Sequence, residues 1–170
     1  MRIAYHWGSH LSVLIRLMEM TDGPVLELGT GFFSTPYLHH ACYLRGRKLV
    51  SYENDPAYFK MLRKLEAPWH EIHSIDDNWD IPETKRGVHD DNKWAFVFID
   101  IKPDFKRKDL ARMLRNSAYY VAIHDSQPEG EEAFHYNDIY KWFKRKYDCT
   151  KFSPQTTVLS NYKELRTFNI

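Results

Sequence analysis

The stretch Val25-Leu26-Glu27-Leu28-Gly29-Thr30-Gly31 carries an apolar run into a two-glycine turn, with an acid two positions before the first glycine. Gly29 and Gly31 have the spacing that lets backbone approach a bound molecule closely, but Ser34 stands where a dinucleotide fingerprint has its third glycine. Glycines admit a ligand without choosing it. The acids are more selective. Glu27 beside a pyrophosphate would repel it, whereas beside an ammonium it would attract. Glu53, at the end of the next apolar run, can accept both hydroxyls of a ribose. Glu27 and Glu53 together ask for a ligand with a ribose, a cationic end and no phosphate.

These residues need elements to position them. Leu11, Leu14, Ile15 and Met18 predict an amphipathic helix over 9–20, stopped by Asp22-Gly23-Pro24. Val25 to Leu28 reads as a buried strand. Ser34 is the expected cap of a second helix, with Thr35 and Pro36 in its first turn and Tyr37, Leu38, Ala41 and Cys42 inward. "KLVSYE" is a second strand. Asp55 caps a third helix, with Pro56 at its first position and Tyr58, Phe59, Leu62 and Leu65 facing inward. "WHEIHSI" is a third strand, and the polar residues 76–93 form a long loop. "WAFVFID" is a fourth strand, followed by a helix with Leu110, Met113 and Leu114 inward; "AYYVAIHD" is a fifth strand. Residues 131–146 are expected to be a helix with Ile139, Trp142 and Phe143 inside and Lys141, Lys144, Arg145 and Lys146 in water. "CTKFS" and "TTVLS" predict a closing hairpin.

Strands alternating with helices define an α/β fold, a parallel sheet with helices on both faces. Residues 1–170 are expected to form one domain, with an N-terminal helical segment (1–22), a core (23–160) and a tail (161–170). Ligands of such folds gather at the carboxyl ends of the strands. The residues there are Glu27 to Gly31, Glu53, Asp76 to Trp79, Asp100 and His124 to Ser126.

S-adenosylmethionine combines a ribose and a cationic end without phosphate. Three motifs carry a matching resemblance: "ELGTGFFS", "VSYEND" and "FVFID". On them the chain resembles the class I S-adenosylmethionine-dependent methyltransferases, over roughly residues 9–160. It is most similar to a compact group related to small-molecule and sugar O-methyltransferases. The resemblance implies a Rossmann-like three-layer sandwich whose mostly parallel seven-stranded sheet ends in an antiparallel strand. It implies a donor turn at Gly29, Thr30, Gly31 and Ser34, with Glu53 and Asn54 in the ribose motif. It also implies Asp76 or Asp77 at the adenine amino group, Trp79 as a stacking neighbour and Asp100 near the methyl group. A helix preceding the first strand often covers the donor pocket in such proteins, which places His10 against the donor's carboxylate.

Methyl transfer from a sulfonium is an in-line displacement, so the protein's main role is to hold acceptor and methyl about 3 Å apart. An oxygen acceptor also has a proton to lose. His124, at the end of the fifth strand, is the expected base, with Asp100 beside it. Asp100 and Asp125 end adjacent strands and can share a divalent cation, as in some related O-methyltransferases. The following "IKPDFKRKD" has no histidine to extend such a site, so a metal is not favoured. Methylation of an exocyclic base amine is disfavoured, because Asp100-Ile101-Lys102-Pro103 departs from the Asn/Asp-Pro-Pro-aromatic motif.

Composition sets the outer bounds. A net charge of +1 over 170 residues gives no support for bulk nucleic-acid binding. The longest apolar stretch, Trp94 to Ile99, is too short for a membrane span, and the N-terminus lacks a signal peptide's apolar core. Cys42 and Cys149 have no metal-site spacing and form no disulfide framework, which fits a cytoplasmic compartment. The expected activity is methylation of an oxygen of a small molecule or glycan, with the acceptor site completed by loops, the N-terminal arm or a second subunit of a homo-oligomer. Two other readings stay open: a non-catalytic S-adenosylmethionine-binding module or partner subunit, and a nicotinamide-dependent oxidoreductase.

Overall fold

A computed structural model describes residues 5–82, 93–130, 134–168 and 170. Seven strands are introduced in chain order: β1 (Val25–Leu28), β2 (Leu49–Glu53), β3 (His70–Ser74), β4 (Trp94–Ile99), β5 (Ala118–His124), β6 (Arg145–Cys149) and β7 (Thr156–Ser160). The α-helices are α1 (Leu11–Met20), α2 (Ser34–Leu44), α3 (Pro56–Leu62), α4 (Lys106–Leu114) and a single turn, α5 (Asn137–Tyr140). The sheet order is β3-β2-β1-β4-β5-β7-β6, parallel from β1 to β5 and antiparallel at β7 and β6. Strand order reverses between β1 and β4, which opens a crevice at their carboxyl ends.

The central strands β1, β4 and β5 are largely buried on both faces and read as nearly continuous apolar runs, as parallel strands under two helix layers must. Period-two alternation still sorts their side chains. Leu26, Leu28, Val97 and Ile99 pack with α4, α5 and the Trp79–Ile81 loop. Val25, Phe96 and Phe98 pack with Leu14 and Leu17 of α1 and Leu38 and Cys42 of α2. Leu165 and Phe168 join that second layer, so the C-terminal residues close the core rather than trail from it.

Asp55 caps α3 as expected, its side chain accepting from the Ala57 and Tyr58 amides. Several expectations need correction. Ile15, counted in the apolar face of α1, is exposed, and the expected strand "CTKFS" is not one, since β6 ends at Cys149. Ser34 is the first helical residue of α2, not its cap, which is Phe33. Met113 is exposed, while Arg107, near the start of the same helix, is buried. The helix expected over 131–146 reduces, among the described residues, to α5 and a turn; Arg145–Cys149 is the edge strand β6. Its side chains alternate in exposure with period two, and Trp142, expected inside, is 47% exposed. Charged side chains on such an edge discourage pairing with another chain. Most of the expected 76–93 loop lies outside the described residues. No helix among the described residues is long and apolar enough to cross a membrane.

Candidate functional site

At the crevice above β1 and β4 lies a cavity of ≈ 790 Å³, within the range of small-molecule sites. Its floor is the glycine turn. Gly29 has φ +87°, and a Cβ there would stand 2.1 Å from the Asp100 carbonyl oxygen, so only glycine lets β1 and β4 run this close. Gly31 is less constrained, since a Cβ on it would meet only the Ser34 hydroxyl within 4 Å, at 3.3 Å.

Glu53 ties the turn to β2. One carboxylate oxygen accepts both the Thr30 amide and the Thr30 hydroxyl at 2.6 Å, and the other accepts the Asp55 amide at 2.7 Å. Glu53 borders the cavity. Its second oxygen keeps acceptor capacity for a ligand hydroxyl. Asn54 bridges the next loops, donating to Asp77 Oδ1 at 2.6 Å and to the Lys102 carbonyl at 2.9 Å.

Gly29, Thr30, Gly31, Ser34, Glu53, Asn54, Asp77, Asp100, His10 and His124 therefore line one cavity. Glu27, Asp76 and Trp79 lie outside its lining. Asp76 folds back on its own loop and accepts from Asn78. Trp79 is buried beneath that loop, its indole N–H donating to the Lys102 carbonyl at 2.9 Å; it supports the wall by packing.

Glu27 is fully buried under the turn because alternation along β1 points it at α2 rather than at the ligand. It accepts from Thr35 Oγ1 at 3.0 Å and from Ser51 Oγ, its neighbour across β2, at 2.7 Å. Burial pushes its carboxyl up to about 7, against the hydroxyls of Ser51, Ser34 and Thr35. The hydrogen bonds extend further. Ser51 Oγ also lies 2.9 Å from His70 Nε2, and His70 Nδ1 lies 3.1 Å from His39 Nδ1. Burial, followed by the charge of His39, holds the His70 ring down at about 4. A hydrogen-bonded chain thus runs from partly exposed His39 to the acid beneath the donor turn.

The other end of the cavity is organised by a residue that sequence reasoning did not single out. Arg107 is 3% exposed and donates to Asp100, Asp104 and Asp125 at 3.0, 3.0 and 2.7 Å. It also donates to the carbonyls of Ile101 and His124. In the sequence it sits inside "KRKD", which looks like a solvated helix start; Asp104, three positions earlier, was the available hint. The guanidinium occupies the space between Asp100 and Asp125, where the sequence had admitted a shared divalent cation. Burial raises the Asp100 carboxyl, but His124 and Arg107 outweigh it and hold the group well below the usual carboxylate range. Asp125, which accepts from Arg107, adopts φ +54°, a backbone conformation uncommon outside glycine.

His124 stands between Asp100 and Ser9. Its Nδ1 lies 3.1 Å from Asp100 Oδ2 and its Nε2 lies 2.9 Å from Ser9 Oγ. Ser9 donates its own proton to the Pro154 carbonyl at 2.7 Å, so His124 Nε2 donates to Ser9. Beside it, His10 packs edge-on at 4.7 Å between ring centroids. Burial, followed by the charge of His124, holds the His10 ring down at about 3, and neither ring nitrogen has a partner among the described residues.

No family model and no curated protein matches the sequence. Solved structures do match the fold. A putative O-methyltransferase from Klebsiella pneumoniae superposes with a TM-score of 0.67 at 14% identity, covering 95% of this chain and 82% of that one. An O-methyltransferase from Bacillus cereus in complex with S-adenosylhomocysteine gives 0.65 at 14% identity, covering 94% and 82%. A spermidine synthase in complex with a transition-state analogue also gives 0.65, at 15% identity, covering 94% of this chain and 60% of that one. The fold is that of the class I S-adenosylmethionine-dependent methyltransferases, with the seven-stranded order and reversed final strands described above. The spermidine synthase shows that the same architecture hosts more than one activity.

Proposed function

We propose that the chain is an S-adenosylmethionine-dependent methyltransferase acting on an oxygen of a small molecule or glycan. The observation that carries the donor is the charge of the cavity. Glu53, Asp55, Asp77, Asp100 and Asp125 line it, against Lys102 and Arg107, and Arg107 is already committed to Asp100 and Asp125. Such a site favours a nucleoside with a cationic end and opposes a pyrophosphate, which speaks against a nicotinamide cofactor. The remaining capacity of Glu53 suits a ribose hydroxyl, and Asp77 suits the adenine amino group. Glu27 acts through Thr35 and the Gly31 amide rather than by contact.

On this reading the donor brings the transferable methyl, and the protein supplies position. Asp100 and His124 stand at the methyl end. His124 serves as base only where an acceptor hydroxyl replaces Ser9 at Nε2 and the ring has first given up that proton; Asp100 at Nδ1 then stabilises the ring once it is recharged. The test is transfer of isotope-labelled methyl from S-adenosylmethionine to a panel of phenols, sugars and hydroxy acids. Label in an oxygen-linked methyl product supports the reading. Donor binding without turnover on any acceptor, unchanged by His124→Ala, favours the non-catalytic module.

A further inference from the structure

We propose that His10, Asp100 and His124 form a binding site for one divalent transition-metal ion at the methyl end of the cavity. Their ligating atoms all lie within 4.8 Å of one another. Two of them are already set for a shared ion. His124 Nδ1 and Asp100 Oδ2 are 3.1 Å apart, the separation of neighbouring ligands when each bond to a metal is about 2.0–2.2 Å. The ion would replace the proton between them, and that proton leaves to solvent.

A second, independent observation points to a missing partner. His10 is 3% exposed, borders the cavity, and has both ring nitrogens unpaired among the described residues. A buried polar group of this kind is costly without a ligand, and such cases need an explanation. The supporting shell is also in place. His124 Nε2 donates to Ser9, itself fixed by the Pro154 carbonyl, which leaves Nδ1 as the ligating nitrogen. Arg107 takes Asp100 Oδ1 and leaves Oδ2.

Charge is consistent with a dication. Asp100, Asp104 and Asp125 converge on the single positive charge of Arg107. Two imidazole nitrogens and a carboxylate select an ion such as Zn²⁺, Co²⁺ or Fe²⁺ over Mg²⁺, which prefers oxygen. This site is therefore distinct from the Asp100–Asp125 bridge that Arg107 fills. With the ion bound, it rather than His124 would activate an acceptor hydroxyl, by polarising it, and only that use rests on the methyl-transfer reading.

The test is titration of the full chain, stripped of metal, with Co²⁺ alone, followed by its visible absorption bands, and with Zn²⁺ by calorimetry. One equivalent is expected. His10→Leu and Asp100→Asn should each weaken binding by more than about 100-fold, and Ser9→Ala by about 10–100-fold. His73→Ala, on the exposed end of β3, should change nothing. Circular dichroism of each variant confirms that the fold persists. Absent Co²⁺ bands, or bands that survive His10→Leu and Asp100→Asn, overturn the metal site. Failure of S-adenosylhomocysteine to bind while Co²⁺ binds as expected overturns the donor reading alone.

Discussion

Thr30 donates both its backbone N–H and its side-chain hydroxyl to one oxygen of Glu53, each at 2.6 Å. The acid at the end of β2 thereby shapes the glycine turn and faces the ligand at once. Glu53→Ala should cost donor binding on the order of 1–3 kcal/mol, the usual loss for hydrogen bonds to a charged group. Calorimetry with S-adenosylhomocysteine reads this directly. Affinity unchanged by Glu53→Ala would remove the ribose role.

Arg107 is a stability residue as much as a site residue. Replacing it with Met leaves Asp100 and Asp125 facing each other without their shared cation, and two carbonyls without their donor. Arg107→Met is expected to destabilise the fold by about 3–5 kcal/mol, as loss of one partner from a buried ion pair does. Arg107→Lys should recover little of it, because an ammonium cannot span the fork. Urea denaturation at neutral pH measures both.

Glu27 predicts a pH dependence with a definite sign. Its carboxyl titrates near the ordinary value of 4.5 when unfolded and at about 7 when folded. Its contribution is therefore fully present below 4.5 and is lost as pH rises through 7, by about 3 kcal/mol at 1.36 kcal/mol per unit. Neighbouring His70, held down at about 4, acts in the opposite sense, contributing above its usual range and losing that as pH falls. Comparing wild type with Glu27→Gln isolates the first effect. The stability of wild type relative to the variant should fall as pH rises from 4.5 through 7; parallel curves would contradict the buried acid.

His10 is buried with both ring nitrogens unpaired among the described residues. His10→Leu removes two unpaired buried nitrogens and keeps a side chain of similar volume, so thermal unfolding should shift upward, by about 1–3 kcal/mol in stability. A destabilised His10→Leu would mean that the ring has an unseen structural partner.

Much of this was legible in the sequence because it follows from strong local signals. The runs Val25–Leu28, Leu49–Glu53 and Trp94–Ile99 are apolar, short and bounded by turn residues, and each is a strand. The terminal region was misread for a physical reason. Ile139, Trp142 and Phe143 have helical spacing, yet it spans only one turn, and Arg145 to Cys149 alternates with period two. In the site, strand ends pointed to the right loops but not to the right faces. Alternation buries Glu27 while Glu53 reaches the cavity. Asp76 and Asp77 are adjacent in a loop, and only backbone geometry sends Asp77 to the cavity. Arg107 was invisible because its significance depends on three carboxylates from separate segments.

The most direct measurement is paired calorimetric titration of the full chain with S-adenosylmethionine and with NAD. One equivalent of S-adenosylmethionine should bind, with no heat from NAD, because the acids around the cavity accept a cationic nucleoside and repel a pyrophosphate. Binding of NAD, with S-adenosylmethionine silent, would contradict the assignment of this cavity.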